Sequence, residues 1–291
     1  MNIEIGIIFA FAAMLCWGFG DFLIQKSTRR FGDWETLFFI SVLGTAILFP
    51  FVYKDLPALF SSFNEKALIF FGASIAILIS ALFEFESLKQ GKIAVIEPLW
   101  SLEVPVAALF AFFILKEAPS YLQSAMILVL VAGLVLVSLR TYRLERKVWL
   151  EKAVFIAVFS ALIMGAANFL VGLCARETNA LVINWFLNVF LMIACLIYLL
   201  TQKKARILIK NAKEGGWSLW GMCILDNAAW IAFAYAMVFA PIGIAVALTE
   251  GFIIIAVLFG LFVNKENLKT HQKIGLVLAV IAAIVLAGSV G

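Results

Sequence analysis

Apolar runs of about 20 residues recur from one end of this sequence to the other, each long enough to cross a hydrocarbon core of roughly 30 Å. A chain that enters hydrocarbon must satisfy its own backbone, so it folds as helices or as a closed barrel. These runs are continuous and do not alternate apolar with polar residues, which excludes a barrel. Ten can be drawn, at about 3–25, 35–53, 67–88, 93–115, 120–139, 150–174, 179–200, 216–239, 243–263 and 270–290. The expectation is an all-α polytopic membrane protein with ten transmembrane helices. Composition agrees, since 65% of the 291 residues are hydrophobic and 14% charged. The opening MNIEIGIIFAF lacks a basic region and a small-residue cleavage site, so it reads as the first span and not as a removable signal.

Most connections are short, which makes sequential helices antiparallel neighbours. The longer ones are 53–66, 140–152 and 201–216. The middle one divides the chain into a first five-helix repeat over 1–140, a linker over 141–149 and a second five-helix repeat over 150–291. WGFGDFLIQ (17–25) matches MGAANFLVG (164–172), pairing Gly18 with Gly165 and Asp21 with Asn168. GKIAVIE (91–97) resembles IGIAVAL (242–248), and LKEAPSYLQ (115–123) sits where NKENLKTHQ (264–272) does. The common order and an offset of 147 to 151 point to duplication. Five spans is an odd number, so the second copy enters the membrane from the opposite side. Inverted repeats of this kind recur in secondary transporters, which place the substrate site between the copies.

Two five-span copies, an early Trp-Gly followed by Phe-Leu, and a Lys-Glu turn after spans four and nine resemble the drug/metabolite transporter superfamily, in its EamA branch. The resemblance covers nearly the whole chain and implies a fold more sharply than a substrate; broad export is what it implies by itself. Members usually carry Gly-Glu at the turn, and Lys116-Glu117 and Lys265-Glu266 depart from that. Members are also usually described with both termini inside. Here eighteen of the 22 Lys and Arg lie in the loops after the odd-numbered spans, so the positive-inside rule puts both termini outside the cytoplasm of a cell (inner or plasma) membrane.

Asp21, Glu84, Glu86, Glu97, Glu103, Asp226 and Glu250 lie within or at the edges of spans, with no Lys or Arg well inside one. Each central carboxylate costs about 2.5–3.5 kcal/mol on insertion scales, so such residues face a cavity or a partner. Either several are protonated or a cation visits them. At 1.5 Å per residue, Glu103, Asp226 and Glu250 fall near mid-membrane, while Asp21, Glu84 and Glu97 lie roughly 9–12 Å toward the basic loops. The first three are expected to bind substrate or exchange protons. Asp21, Trp17, Glu84 and Glu97 are expected to form a gate or pathway, against the plainer reading of a static polar cluster. Glu86 reads as an interfacial charge beside Lys89 and Lys92.

Trp100 neighbours Glu97 and Glu103 on the helix surface, and Trp230 shares a stripe with Asp226, with Asn227 beside it. A ring face next to a carboxylate suits an organic ammonium, although a chain with 28 Phe and eight Trp puts aromatic residues near everything. Trp34, Trp149 and Trp217 suit interfacial belts. Pro98 and Pro105 in span four each remove a helical hydrogen bond, and the freed carbonyls line a cavity or a packed kink. Gly18, Gly20, Gly165 and Gly172 suit close helix approach, and the first two also suit a bend in span one. His271 reads as solvated or capping. Cys16, Cys174, Cys195 and Cys223 sit in apolar runs without metal-ligand spacing, as small hydrophobes.

These features together predict a secondary transporter of a small organic cation or amine, working by alternating access and coupled to protons. The alternative is an exporter or facilitator of amino acids or other neutral or zwitterionic metabolites; a non-transporting scaffold or receptor is the distant one. No nucleophile–His pairing, H-E-x-x-H or phosphate loop suggests an enzyme, and no cofactor, metal or ATP-driven step is expected. The net charge of +4 sits in loops and implies no nucleic-acid partner. A monomer or a homodimer fits, since duplication lets one chain complete the pathway.

Overall fold

The computed structural model describes residues 2–61, 63–90, 99–138, 152–255 and 268–289, and among these every regular element is a helix. The first half contains α1 (Ile3–Phe31), α2 (Asp33–Val52), α3 (Leu56–Ser61), α4 (Phe63–Gln90), α5 (Glu103–Leu115) and α6 (Tyr121–Ser138). The second contains α7 (Lys152–Glu177), α8 (Ala180–Thr201), α9 (Ala205–Glu214), α10 (Gly216–Phe239), α11 (Ile242–Thr249) and α12 (Thr270–Gly288). Seven described helices are long and apolar enough to cross a bilayer: α1, α2, α4, α7, α8, α10 and α12. Three shorter apolar helices, Glu103–Leu115, Tyr121–Val137 and Ile242–Ile255, coincide with expected spans four, five and nine. Positions 93–98 and 256–263 of spans four and nine lie outside the described residues, as do Glu97, Pro98, Trp149, Lys265 and Glu266. The connections 53–66 and 201–216 were expected as loops; they hold α3 and α9.

Packing follows a pairing that survives exchange of the halves. The α1 helix lies against α10 as α4 lies against α7, and α5 lies against α7 as α11 lies against α1. The pairs α2 with α8, α6 with α12 and α5 with α11 map onto themselves. Small residues permit the approach. A Cβ added at Gly18 would stand 2.8 Å from Ile255 Cβ, and one at its repeat partner Gly165 2.7 Å from Val106 Cβ. Gly172 is equally tight, 2.8 Å from Ile242 Cδ1, whereas Gly20 has ordinary room at 3.6 Å. The α1 helix runs unbroken through Gly18 and Gly20. The outer faces carry exposed Phe22, Leu68, Leu128 and Ile284, as a lipid-facing surface should.

Two residues turn the backbone sharply. Gly32 (φ 105°) joins α1 to α2 through a single residue. Lys116 (φ 58°) ends α5 in the left-handed region, which favours glycine, and this explains why a Gly-Glu turn suits the position. His271 is a correction: it is buried at the start of α12. Trp34 is also drawn inward and stacks on Tyr198 at 3.9 Å, while Trp217 is 81% exposed. Cys174, Cys195 and Cys223 are buried thiols, and Cys16 is half-buried.

Candidate functional site

The site begins with two interruptions at equivalent places. Span four is irregular before Glu103, where Leu102 N–H bonds Leu99 O and Val104 N–H bonds Ser101 O. Span nine is interrupted at Glu250 and Gly251, with Gly251 N–H on Leu248 O and Ile254 N–H on Gly251 O. The breaks at 101–102 and 250–251 differ by 149, within the repeat offset, so Glu103 and Glu250 stand beside equivalent interruptions without being repeat partners themselves. Discontinuous helices at membrane depth in both halves of a duplicated chain are a hallmark of transporter binding sites. The expectation for Pro105 needs correcting. Pro105 stands in the first turn of α5, where its missing N–H has no intrahelical acceptor to lose. Span nine is interrupted with no proline there.

Between the two halves lies a cavity of about 110 Å³. Of the residues expected at a site, Glu103, Asp226, Glu250, Trp100, Trp230 and Asn227 line it, and so do Asp21, Trp17 and Glu84. Separation along the helix axes therefore does not separate the central acids from Asp21 and Glu84 in space. Glu103 lies within electrostatic reach of Glu250, Glu84 and Asp21, and Glu84 within reach of Asp226. No Lys or Arg is among the described lining residues. Nor do three His, Cys, Asp or Glu side chains among the described residues gather closely enough to hold a metal ion, so the carboxylates are spread around the wall.

Partners differ from acid to acid. Asn168 Nδ2 donates to Glu103 Oε2 at 3.0 Å. The Trp17 indole lies within interaction reach of Asp226. Glu250 Oε2 and Trp100 Nε1 are buried without a hydrogen-bond partner. Trp17 and Trp230 meet edge to face at 5.5 Å, and Phe233 closes a three-ring wall at 5.2 Å from Trp17 and 5.8 Å from Trp230.

Sequence reasoning missed an asparagine ladder. Asn227 Nδ2 donates to Ile40 O (3.0 Å) and Cys223 O (2.9 Å), and its Oδ1 accepts from Asn188 Nδ2 (3.1 Å). Asn188 also donates to Asn184 O, and Asn184 to Trp230 O. The ladder ties α2, α8 and α10 together beneath the cavity, so Asn227 is largely committed to structure. Gly44 makes room for it: an added Cβ would lie 2.1 Å from Asn227 Oδ1. The available signal was two asparagines four apart in an apolar span, which share one helix face.

A second missed group is Arg176, which falls between expected spans six and seven. At the end of α7 its guanidinium donates to Met237 O and Ala240 O, the C-terminal carbonyls of α10, and pairs with Glu117. Glu117 Oε2 in turn accepts Ile242 N–H (2.9 Å) at the start of α11. A cation thus sits on a helix C-terminus and an anion on a helix N-terminus, both in the favourable sense. The latch joins α5, α7, α10 and α11 at the end of the bundle away from the basic loops.

The comparisons agree with this architecture. A solved crystal structure superposes with a TM-score of 0.75 at 15% identity, covering 98% of this chain and 96% of that one, which establishes a shared fold. No curated protein matches the sequence. The family model described as the EamA-like transporter family matches twice, over residues 4–139 and 151–288. The chain is a multi-pass membrane protein, not an enzyme, and it belongs to the EamA-like transporter family.

Proposed function

We propose that the protein is a secondary active transporter moving a small organic cation, an amine, by alternating access in exchange for protons. One observation carries the reading: five carboxylates drawn from both halves face one cavity whose described lining has no basic residue. Charges in that setting need compensation, which protons and an organic ammonium both supply. Glu103, Asp226 and Glu250 hold the substrate charge or the exchanged proton. Trp100 and Trp230 offer ring faces to the ammonium. Asp21, Trp17, Glu84 and Glu97 serve as its gate or pathway, and Asn227 holds the wall that carries Trp230. One chain carries both halves, which supports a monomer as the transporting unit. The loop charges support a cell-membrane location with both termini outside the cytoplasm, checked by protease access to terminal tags.

Reconstitution tests the central claim. Proteoliposomes with an acidic lumen should accumulate radiolabelled amines faster than protein-free liposomes, and collapsing the pH gradient should remove the difference. Absence of protein-dependent amine flux across a broad panel would falsify the cation reading. The uncharged polar lining of Asn168, Asn184, Asn188 and Thr249 favours a neutral or zwitterionic metabolite as the second reading. Amino-acid flux in the same liposomes without amine flux selects it.

A further inference from the structure

Several polar groups of the cavity wall are already paired. Asn168 occupies one oxygen of Glu103, and Asn227 has partners at both ends of its amide. Two groups stand apart. Trp100 Nε1 and Glu250 Oε2 have no hydrogen-bond partner, although the side chains are only 4% and 6% exposed and both line the cavity. They flank the paired interruptions: Trp100 precedes α5, Glu250 follows α11, and these two helices pack together. Their chemistries are opposite. An indole N–H can only donate, and an ionised carboxylate can only accept. A bare cation answers Glu250 and leaves Trp100 unanswered. A ligand that answers both must offer a donor and an acceptor.

Resting on the amine reading above, we infer that the substrate is an oxygenated amine. Its ammonium N–H donates to Glu250 Oε2, and an uncharged hydroxyl, ether or carbonyl oxygen on the same molecule accepts from Trp100 Nε1. The oxygen is uncharged because an anionic one would enter a wall carrying Asp21, Glu84, Glu103, Asp226 and Glu250 with no Lys or Arg among its described residues. Quaternary ammonium compounds lack the N–H, and plain alkylamines lack the acceptor. The rings of Trp17, Trp230 and Phe233 suit an apolar body between the two polar ends.

A series on one skeleton tests the assignment: 2-phenylethylamine, 2-amino-1-phenylethanol, trimethyl(2-phenylethyl)ammonium and phenylalanine, each competing for uptake of labelled 2-amino-1-phenylethanol by the reconstituted full chain. The hydroxylated amine should inhibit at a concentration about tenfold below that of 2-phenylethylamine, the worth of one hydrogen bond in a desolvated site. The trimethyl compound should be weaker again. In Trp100→Phe, which keeps a ring and removes the N–H, the ratio between hydroxylated and plain amine should fall to about one. Equal inhibition by the two in the unaltered protein overturns the inference and leaves the amine reading standing, as does a ratio that survives Trp100→Phe. Phenylalanine outcompeting every amine overturns the uncharged acceptor and favours the zwitterion reading. Uptake of none of the amines overturns both. The ligand series in the unaltered chain decides the matter even if Trp100→Phe does not fold.

Discussion

Glu103 and Glu250 stand beside the paired interruptions of the two halves but have unequal surroundings. Glu103 is held by the amide of Asn168, whereas Glu250 keeps an oxygen without a partner. Glu250 is therefore the acid best placed to exchange its proton during a cycle. Glu250→Gln, which keeps the shape and removes the titration, should abolish acceleration of amine uptake by a pH gradient. Exchange of labelled for unlabelled amine at equal pH should continue at lower affinity, since the amide oxygen still accepts the ammonium N–H without its charge, and a gradient response like that of the unaltered protein would count against Glu250 as the coupling group. Asn168→Leu should act through stability instead. It strips a buried carboxylate of its donor, a loss of about 1–3 kcal/mol that a lowered melting temperature would register. The acids were legible in the sequence because a charge inside an apolar run has few innocent explanations. Their partners were not. That Trp17 meets Asp226, or that Asn168 meets Glu103, depends on contacts between distant helices, which helical spacing within one span does not encode. The asparagines were overlooked because a neutral amide disturbs hydropathy less than a charge does.

At the level of helices, two departures from regularity matter. The left-handed Lys116 ends α5 so that Glu117 can reach both Arg176 and the first N–H of α11. A side chain in that conformation costs about 1 kcal/mol, so Lys116→Gly should raise the melting temperature without changing transport. Arg176→Ala should do the reverse, leaving Glu117 and two carbonyls of α10 without their donor at a cost of about 1–3 kcal/mol. If Arg176 were only a solvated loop charge, thermal unfolding would not register its removal. The Lys-Glu turn was visible in the sequence, but its role was not, since Arg176 lies 59 residues from Glu117. The interruptions in spans four and nine show the same limit. Prolines drew attention to span four, yet span nine is interrupted at Glu250 and Gly251 without one, so proline is not the cause the two spans share. The short helix α9 escaped notice because Lys203, Lys204, Lys210 and Lys213 made its stretch look like a loop, although Leu208 packs inward.

Across the whole molecule, duplication was the most legible feature, because an offset repeated in order survives the loss of identity at individual positions. What the offset could not reveal is how the halves meet. The described cavity wall runs from mid-membrane toward the basic loops on α1, α2 and α4, while the Arg176 latch fastens the other end. A carrier that opens to each side in turn must part α5 from α11 at the latch. The contact between them is close: a Cβ at Gly243 would lie 2.9 Å from Ala108 Cβ, so about 1 Å of separation brings a cysteine pair there into disulfide geometry. Ala108→Cys with Gly243→Cys, oxidised in the membrane, should stop flux, and reduction should restore it. The native thiols at Cys174, Cys195 and Cys223 are buried and should contribute little to the cross-link. Ligand binding to the bridged protein should survive, because the bridge lies away from Glu103 and Glu250. Full transport with the bridge intact would mean that α5 and α11 stay together throughout the cycle, and the moving boundary would then have to lie elsewhere, at the contacts of α1 with α10 and of α4 with α7.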